Sequence, residues 1–233
     1  MRLVRLAFQR ETAIPMMALL FASATSVVLV VARILWTKDT LYTFLIWNLF
    51  LAWLPRVFAL LACEKYRNVS WRSWGFAGWA AAWLLFFPNS PYIFTDLTHL
   101  NSRFYPHFWA DLSLVLLCAT IGLVLGFVSL FLMQGVVARM LGRTASWLFI
   151  GAVAALSGMG IYMGRFLRFN SWDVFFKPRQ VYHGVGHWVA NPAGAPNSLA
   201  FPAFFATFLF LTYLMLYALT HLQSARLEEA VKS

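Results

Sequence analysis

The sequence predicts an all-α, polytopic membrane helix bundle of about six transmembrane helices. Three observations carry the prediction. Hydrophobic residues make up 61% of the 233 residues and charged residues only 11%. A soluble domain holds roughly 45–50% apolar and about 25% charged residues, and a chain this short cannot bury the excess in one core. The apolar residues also fall in long blocks, and a bilayer crossing needs about 20 of them. Finally, Trp36, Trp71, Trp74, Trp109, Trp147 and Trp188 lie at block ends, where interfacial aromatic belts form.

Taken in order, the blocks give spans at 14–35, 41–62, 75–97, 110–133, 145–164 and 199–220, forming a single integral membrane domain over 1–233. The first resembles a signal peptide, with Arg2, Arg5 and Arg10 before it and Ala22-Ser23-Ala24 within it. Its apolar run continues past that point through Val27–Val31, which predicts an uncleaved first helix.

The net charge of +10 does not point to nucleic acid. The basic residues sit in short clusters between apolar blocks, as in cytoplasmic loops, and no nucleic-acid motif accompanies them. With the N-terminus inside, Arg2, Arg5, Arg10, Lys65, Arg67, Arg72, Arg139, Arg143, Arg226 and Lys232 fall on the inner side. Arg33, Lys38, Arg103, Arg165, Arg168, Lys177 and Arg179 fall on the outer side. The bias predicts both termini in the cytoplasm. Arg56 lies within span two and reads as a structural, snorkelling residue. Cys63 and Cys118 have no metal-ligand spacing and do not suggest a disulfide.

Small residues four apart, Gly122 with Gly126 in span four and Gly151 with Ala155, Ala154 with Gly158 and Gly160 with Gly164 in span five, let backbones approach closely. They make span five a candidate central helix, although glycine is common in membrane helices without such a role. Asn191–Asn197 is a turn-rich loop.

Two stretches could carry chemistry. The first is Phe87–Leu100. Gly75 to Phe87 is only 13 residues, too short to cross at about 1.5 Å per residue. The span must therefore continue past Pro88 and Pro91, where it should kink or break. Ser90-Pro91 reads as an N-cap and first-turn pair restarting the helix at Pro91, with free N–H groups that favour anions. Asp96 and His99 are three apart and share a face. A kinked helix whose Asp96 and His99 touch only headgroup water is the plainer alternative.

The second stretch is Gly164–Asp173. Arg165 and Arg168 stand where positive charge is disfavoured. Snorkelling would explain them, but paired guanidinium groups also suit phosphate or carboxylate. Asn170 with Asp173 resembles a capping arrangement. Farther on, Val181, Tyr182, Val185, Trp188 and Val189 form the apolar stripe of an amphipathic helix within 178–190, lying along the outer interface. His183 and His187, four apart with no third ligand near, read as solvated histidines rather than a metal site. No metal or cofactor is implied.

Asn48, about 10 Å deep in span two, is an intramembrane polar residue and so a functional candidate, unless it only bonds a neighbouring helix. The topology places these features on the outer side. Arg165 or Arg168 is then expected to meet Asp96 or Asp173.

Phe87–Leu100 and Gly164–Asp173, together with Asn48–Pro55, resemble the signatures of a bacterial membrane family catalogued as domain of unknown function 1361. The resemblance runs from span two to span six. It implies a multi-pass protein of the bacterial cytoplasmic membrane and transfers no catalytic residue.

The leading expectation is an outward-facing polar site that binds, and could act on, an anionic lipid or lipid-phosphate headgroup. Arg165 and Arg168 would clamp the anion, and Asn48, Asn89, Asn170 and Asp173 would complete the binding set. Asp96 and His99 would be the catalytic base and acid. A small-solute transporter built on a broken helix and a non-enzymatic assembly or accessory protein are the alternatives. The partners implied are membrane lipids and, for a carrier, a second copy of the chain in a homo-oligomer.

Overall fold

The computed structural model describes residues 10–68, 73–100, 106–190 and 198–232. Arg2, Arg5, Trp71, Arg72, Arg103 and the loop 191–197 lie outside the described residues, as do the side chains of Arg10, Val189, Arg226 and Lys232. Among the described residues there is no strand. In chain order come α1 (Arg10–Thr37), α2 (Thr43–Asn68), α3 (Trp74–Phe86), α4 (Asn89–Tyr92), a 3-10 segment (Ile93–His99), α5 (Phe108–Leu141), α6 (Arg143–Phe166), α7 (Asp173–Phe176), α8 (Pro178–Ala190) and α9 (Ala200–Lys232). Stretches of α1, α2, α5, α6 and α9 are each long and apolar enough to cross a membrane. The protein is a multi-pass, all-α membrane bundle. Its helices form two compact units that divide between Ser146 and Trp147.

The first unit contains the broken span. α3 has 13 residues, about 20 Å of helix, and stops where Pro88 withholds a backbone donor. The chain keeps right-handed torsions through Phe87 (φ −54°, ψ −40°) and Pro88 (φ −58°, ψ −23°), so it continues rather than turning back. Its hydrogen bonds tighten: the Ser90 N–H donates to Phe87 O at 3.1 Å. The restart is at Asn89, not Pro91. Ser90 is not an N-cap, because its hydroxyl donates to Ala52 O on α2 at 3.1 Å. The expected anion-binding helix start is also missing, since the N–H groups of Ser90 and Tyr92 go to Phe87 O and Pro88 O.

The broken span lies along the full length of α2. Tyr66 meets Phe76 and Phe58 meets Trp79 and Phe86. Ala52 then meets Ser90, Asn48 meets Asp96, and Phe44 meets His99. The partner on α2 thus retreats steadily from residue 66 to residue 44 as the other strand of the pair advances from 76 to 99. The two run antiparallel over about 33 Å of helix, close to the thickness of a bilayer core. The third crossing is therefore made in three pieces rather than by one helix.

α5 closes over these pieces. A Cβ at Gly122 would stand 2.6 Å from Ser90 O, and one at Gly126 would stand 3.0 Å from Ser90 Cβ. Only glycine lets the backbones come this close. The Trp83 indole N–H donates to the Ser129 hydroxyl on α5 at 3.1 Å, fixing α3 from the same side. Leu45, Leu49, Ile93, Val115 and Leu125 belong to the hydrophobic core of the unit. α1 runs unbroken through Ala22–Ala24, and Trp53 on α2 donates to the Ser23 hydroxyl.

In the second unit α6 and α9 run antiparallel. Trp147 packs on Tyr213 and Tyr217 at one end and Phe166 packs on Phe201 at the other. Between them a Cβ at Gly158 would overlap Pro202 O. Gly151, paired by spacing with Ala155, has open space beside it. The most enclosed span is α5, with 61% of its most apolar window buried against 39% for α6, so the central role expected of span five is not visible in burial.

Candidate functional site

The 3-10 segment determines the geometry around Asp96. The Thr95 hydroxyl donates to Tyr92 O at 2.7 Å and the Thr98 hydroxyl to Thr95 O at 2.8 Å. Residues three apart eclipse in a 3-10 helix, which stacks His99 over Asp96. The Asp96 carboxylate is 1% exposed. Its Oδ2 accepts from Asn48 Nδ2 at 2.7 Å, and His99 Nδ1 stands 3.9 Å from Oδ1. The His99 side chain is 39% exposed and rests on the Phe44 ring at 5.0 Å. A buried carboxylate oriented by an amide thus stands beside a partly exposed imidazole, at a separation longer than a hydrogen bond. Asn89 is placed otherwise: its Nδ2 donates to Phe86 O at 2.9 Å, holding the broken helix end.

A second buried carboxylate was not anticipated. Arg33 Nε and Nη2 donate to the two oxygens of Asp111 at 2.8 and 3.0 Å, and both residues are nearly inaccessible. Thr37 accepts from Nη1. The Tyr42 ring lies 5.2 Å from the guanidinium carbon, within cation–π range. Arg33 is therefore no loop charge. Its signal in sequence was an arginine and an aspartate each within one turn of the edge of an apolar block.

Arg56 is not a snorkelling residue either. It is 5% exposed, and its Nε and Nη1 are buried without a hydrogen-bond partner.

In the second unit, α6 ends at Phe166 and Arg168 takes a left-handed conformation (φ 58°). An arginine is uncommon in that region. The turn is held by the Phe169 N–H donating to Met163 O at 3.2 Å. The Phe169 ring lies against Gly184, where a Cβ would come within 2.6 Å of it. Arg168 is exposed and Arg165 half-buried. Asp173 opens α7 and is buried. Its Oδ2 accepts the Asn170 N–H at 2.7 Å, and Oδ1 is 3.6 Å from Lys177 Nζ. This is the reach-back half of a capping box. The Asn170 N–H, and secondarily the Lys177 charge, holds the Asp173 carboxyl below the usual carboxylate range against the opposing effect of desolvation. The contacts described at Asp96 are with Asn48 and His99, and those at Asp173 are with Asn170 and Lys177.

α8 is amphipathic, as its pattern predicts. Val181, Val185 and Trp188 face inward, and the Trp188 indole donates to Ser198 O at 3.2 Å. Tyr182 leaves the expected stripe: it is 76% exposed because it lies nearly opposite Gly184, where Phe169 packs. His183 and His187 are exposed as well. Among the described residues no three His, Cys, Asp or Glu side chains could hold a metal. Phe175, Phe176 and Tyr182 thus stand exposed in the same short segment as Lys177, Arg179 and both histidines.

No curated protein and no solved structure matches the chain. One family does, over residues 47–216, and those residues include Asn48, the broken span and the Gly164–Asp173 turn. The chain belongs to that family, described as "Protein of unknown function (DUF1361)".

Proposed function

We propose that this membrane protein binds the headgroup of an anionic lipid or lipid phosphate on the outer side of a bacterial cytoplasmic membrane, with both termini cytoplasmic. The observation that carries the reading is the segment from Arg165 to His187. Its exposed aromatic rings suit the interfacial layer, and Arg168, Lys177 and Arg179 lie among them with one buried acid, Asp173, already engaged. Guanidinium groups at such a surface bind phosphate in a bidentate fork. The left-handed Arg168 supports the reading, because backbone strain concentrates at binding sites. Asn170 and Asp173 build the turn that presents it. In the first unit, taken by itself, Asp96 and His99 with Asn48 as orienting donor are the groups placed for proton exchange.

The test is lipid analysis of the detergent-purified protein by native mass spectrometry. Wild type should retain anionic lipid in excess over the surrounding membrane. Arg168→Ala and Arg165→Ala should lose several-fold of that excess, and Arg168→Lys should restore part of it, because lysine lacks the planar fork. Lipid content equal to the bulk membrane in wild type and variants alike would remove the proposal. Solute uptake by the same protein in proteoliposomes would then favour a carrier.

A further inference from the structure

The segment Ile93–His99 is seven residues of 3-10 helix. Runs beyond about three or four residues are uncommon, because their hydrogen bonds are poorly aligned. Side chains must therefore help to hold it. On one side Asn48 of α2 donates to Asp96 Oδ2 at 2.7 Å. On the other, His99 Nδ1 stands 3.9 Å from Oδ1, too far for a hydrogen bond but close enough for an ion pair. That separation suits attraction between charges and gains little from a neutral imidazole.

The charge balance turns on the same residue. Asp96 is buried, and a buried carboxylate is costly unless a cation stands beside it. Helices α2, α4 and α5 pack against the segment. The titratable groups they bring to its level are Tyr42 just before α2, Tyr92 on α4, and His107, Asp111 and Cys118 at the start of and along α5. Asp111 is neutralised by Arg33 of α1, and His107 rests on Trp36. The tyrosines and the thiol cannot carry positive charge. His99 stands close enough to supply it, and its side chain is partly exposed, so a proton can reach it from water.

We propose that Asp96 and His99 form a one-proton site that latches the third crossing. With the proton on His99, the ion pair holds the end of the 3-10 segment closed over Asp96. When the proton leaves, the segment loosens from α2. Because the pair forms only with the imidazole protonated, its contribution is complete in acid and is lost as pH rises through the His99 midpoint. The site rests on the reading of these residues as placed for proton exchange and does not need the Arg165–His187 surface to bind lipid.

Solution NMR of the full chain in uncharged detergent, with isotope-labelled histidine, follows the titration, and His99→Gln identifies the resonance. The His99 midpoint should be lower in Asp96→Asn than in wild type. The Leu100 N–H donates to Leu97 O at the end of the segment. Its protection against hydrogen exchange, taken relative to the intrinsic rate at each pH, should fall several-fold as pH rises through that midpoint. In His99→Gln the protection should stay low at every pH. The wild-type exchange measurement stands by itself where a variant fails to fold. Lipid retention is read separately by mass spectrometry, so a failure there is distinct from a failure here. Equal His99 midpoints in wild type and Asp96→Asn, or Leu100 protection that does not follow the titration, overturns the proposal.

Discussion

In the unit that ends at Ser146, Arg33, Asp96 and Asp111 are buried and each is met by a partner held on another helix. In the unit that begins at Trp147, Arg168, Lys177 and Arg179 are exposed, and the buried Asp173 finds its partners within four residues of itself. The first arrangement makes tertiary structure depend on charge, because each pair joins segments far apart in sequence. In the second, charge decorates a turn that aromatic packing already holds. Polar residues inside a membrane protein and polar residues on its rim thus do different work, and substitutions should separate them.

The largest effect is expected at Asp111. Asp111→Ala strands Arg33 in a dry site, and breaking a buried pair from one side costs about 3–5 kcal/mol. Unfolding in mixed micelles should show that loss, and Arg33→Met with Asp111→Leu should recover most of it. Lys177→Ala, by contrast, should leave the unfolding midpoint close to wild type, because that side chain is 57% exposed. Equal losses at both positions would erase the distinction.

Gly122→Ala should rank next. The new methyl meets backbone at Ser90 O, and forced overpacking costs about 1–3 kcal/mol. Gly151→Ala enters open space and should stabilise α6 by up to about 1 kcal/mol. The same unfolding assay reads both.

At Asp173 the effect is confined to the turn. Its carboxyl is depressed in the folded state, so the stabilisation is complete above the ordinary carboxylate range, near pH 4, and disappears as pH falls through the lower, folded value. Protection of the Asn170 N–H against hydrogen exchange, taken relative to the intrinsic rate at each pH, should be high at neutral pH and fall in acid. In Asp173→Asn it should be low throughout.

The smallest change is a gain. Arg168→Gly relieves a left-handed arginine and should stabilise the second unit by about 1 kcal/mol, while anionic lipid is lost. Stability and binding moving in opposite directions would mark the strain as functional.

Much of the framework was legible in the sequence. The apolar blocks are long, so the long helices could be located, although those ending at Asn68, Leu141 and Lys232 run on past their blocks, and Pro88 with Pro91 announced the break by chemistry alone. Asp96 and His99 could be paired because they are neighbours in sequence. Arg33 and Asp111 could not, because 78 residues separate them and each stands near a block edge, where a snorkelling side chain explains either one. Tyr182 was misplaced for a related reason: a stripe drawn from apolarity alone ignores the Phe169 ring, which takes the inward position at Gly184. Arg56 looked ordinary in sequence and becomes conspicuous only through its burial and its unpartnered Nε and Nη1.

The segmented third crossing has a consequence for how the protein reaches its membrane. α3 is too short to be retained as a span by its own apolarity, and the piece that completes it carries Asp96 and His99. Its docking surfaces are α2, synthesised before it, and the glycine face of α5, synthesised after it. Final insertion must therefore wait until α5 has emerged from the ribosome. A released chain that ends before residue 108 should leave a cysteine substituted at Ser90 open to aqueous reagents, and one that continues past residue 141 should shield it. The two glycines of α5 thereby set the moment during synthesis at which the topology is completed.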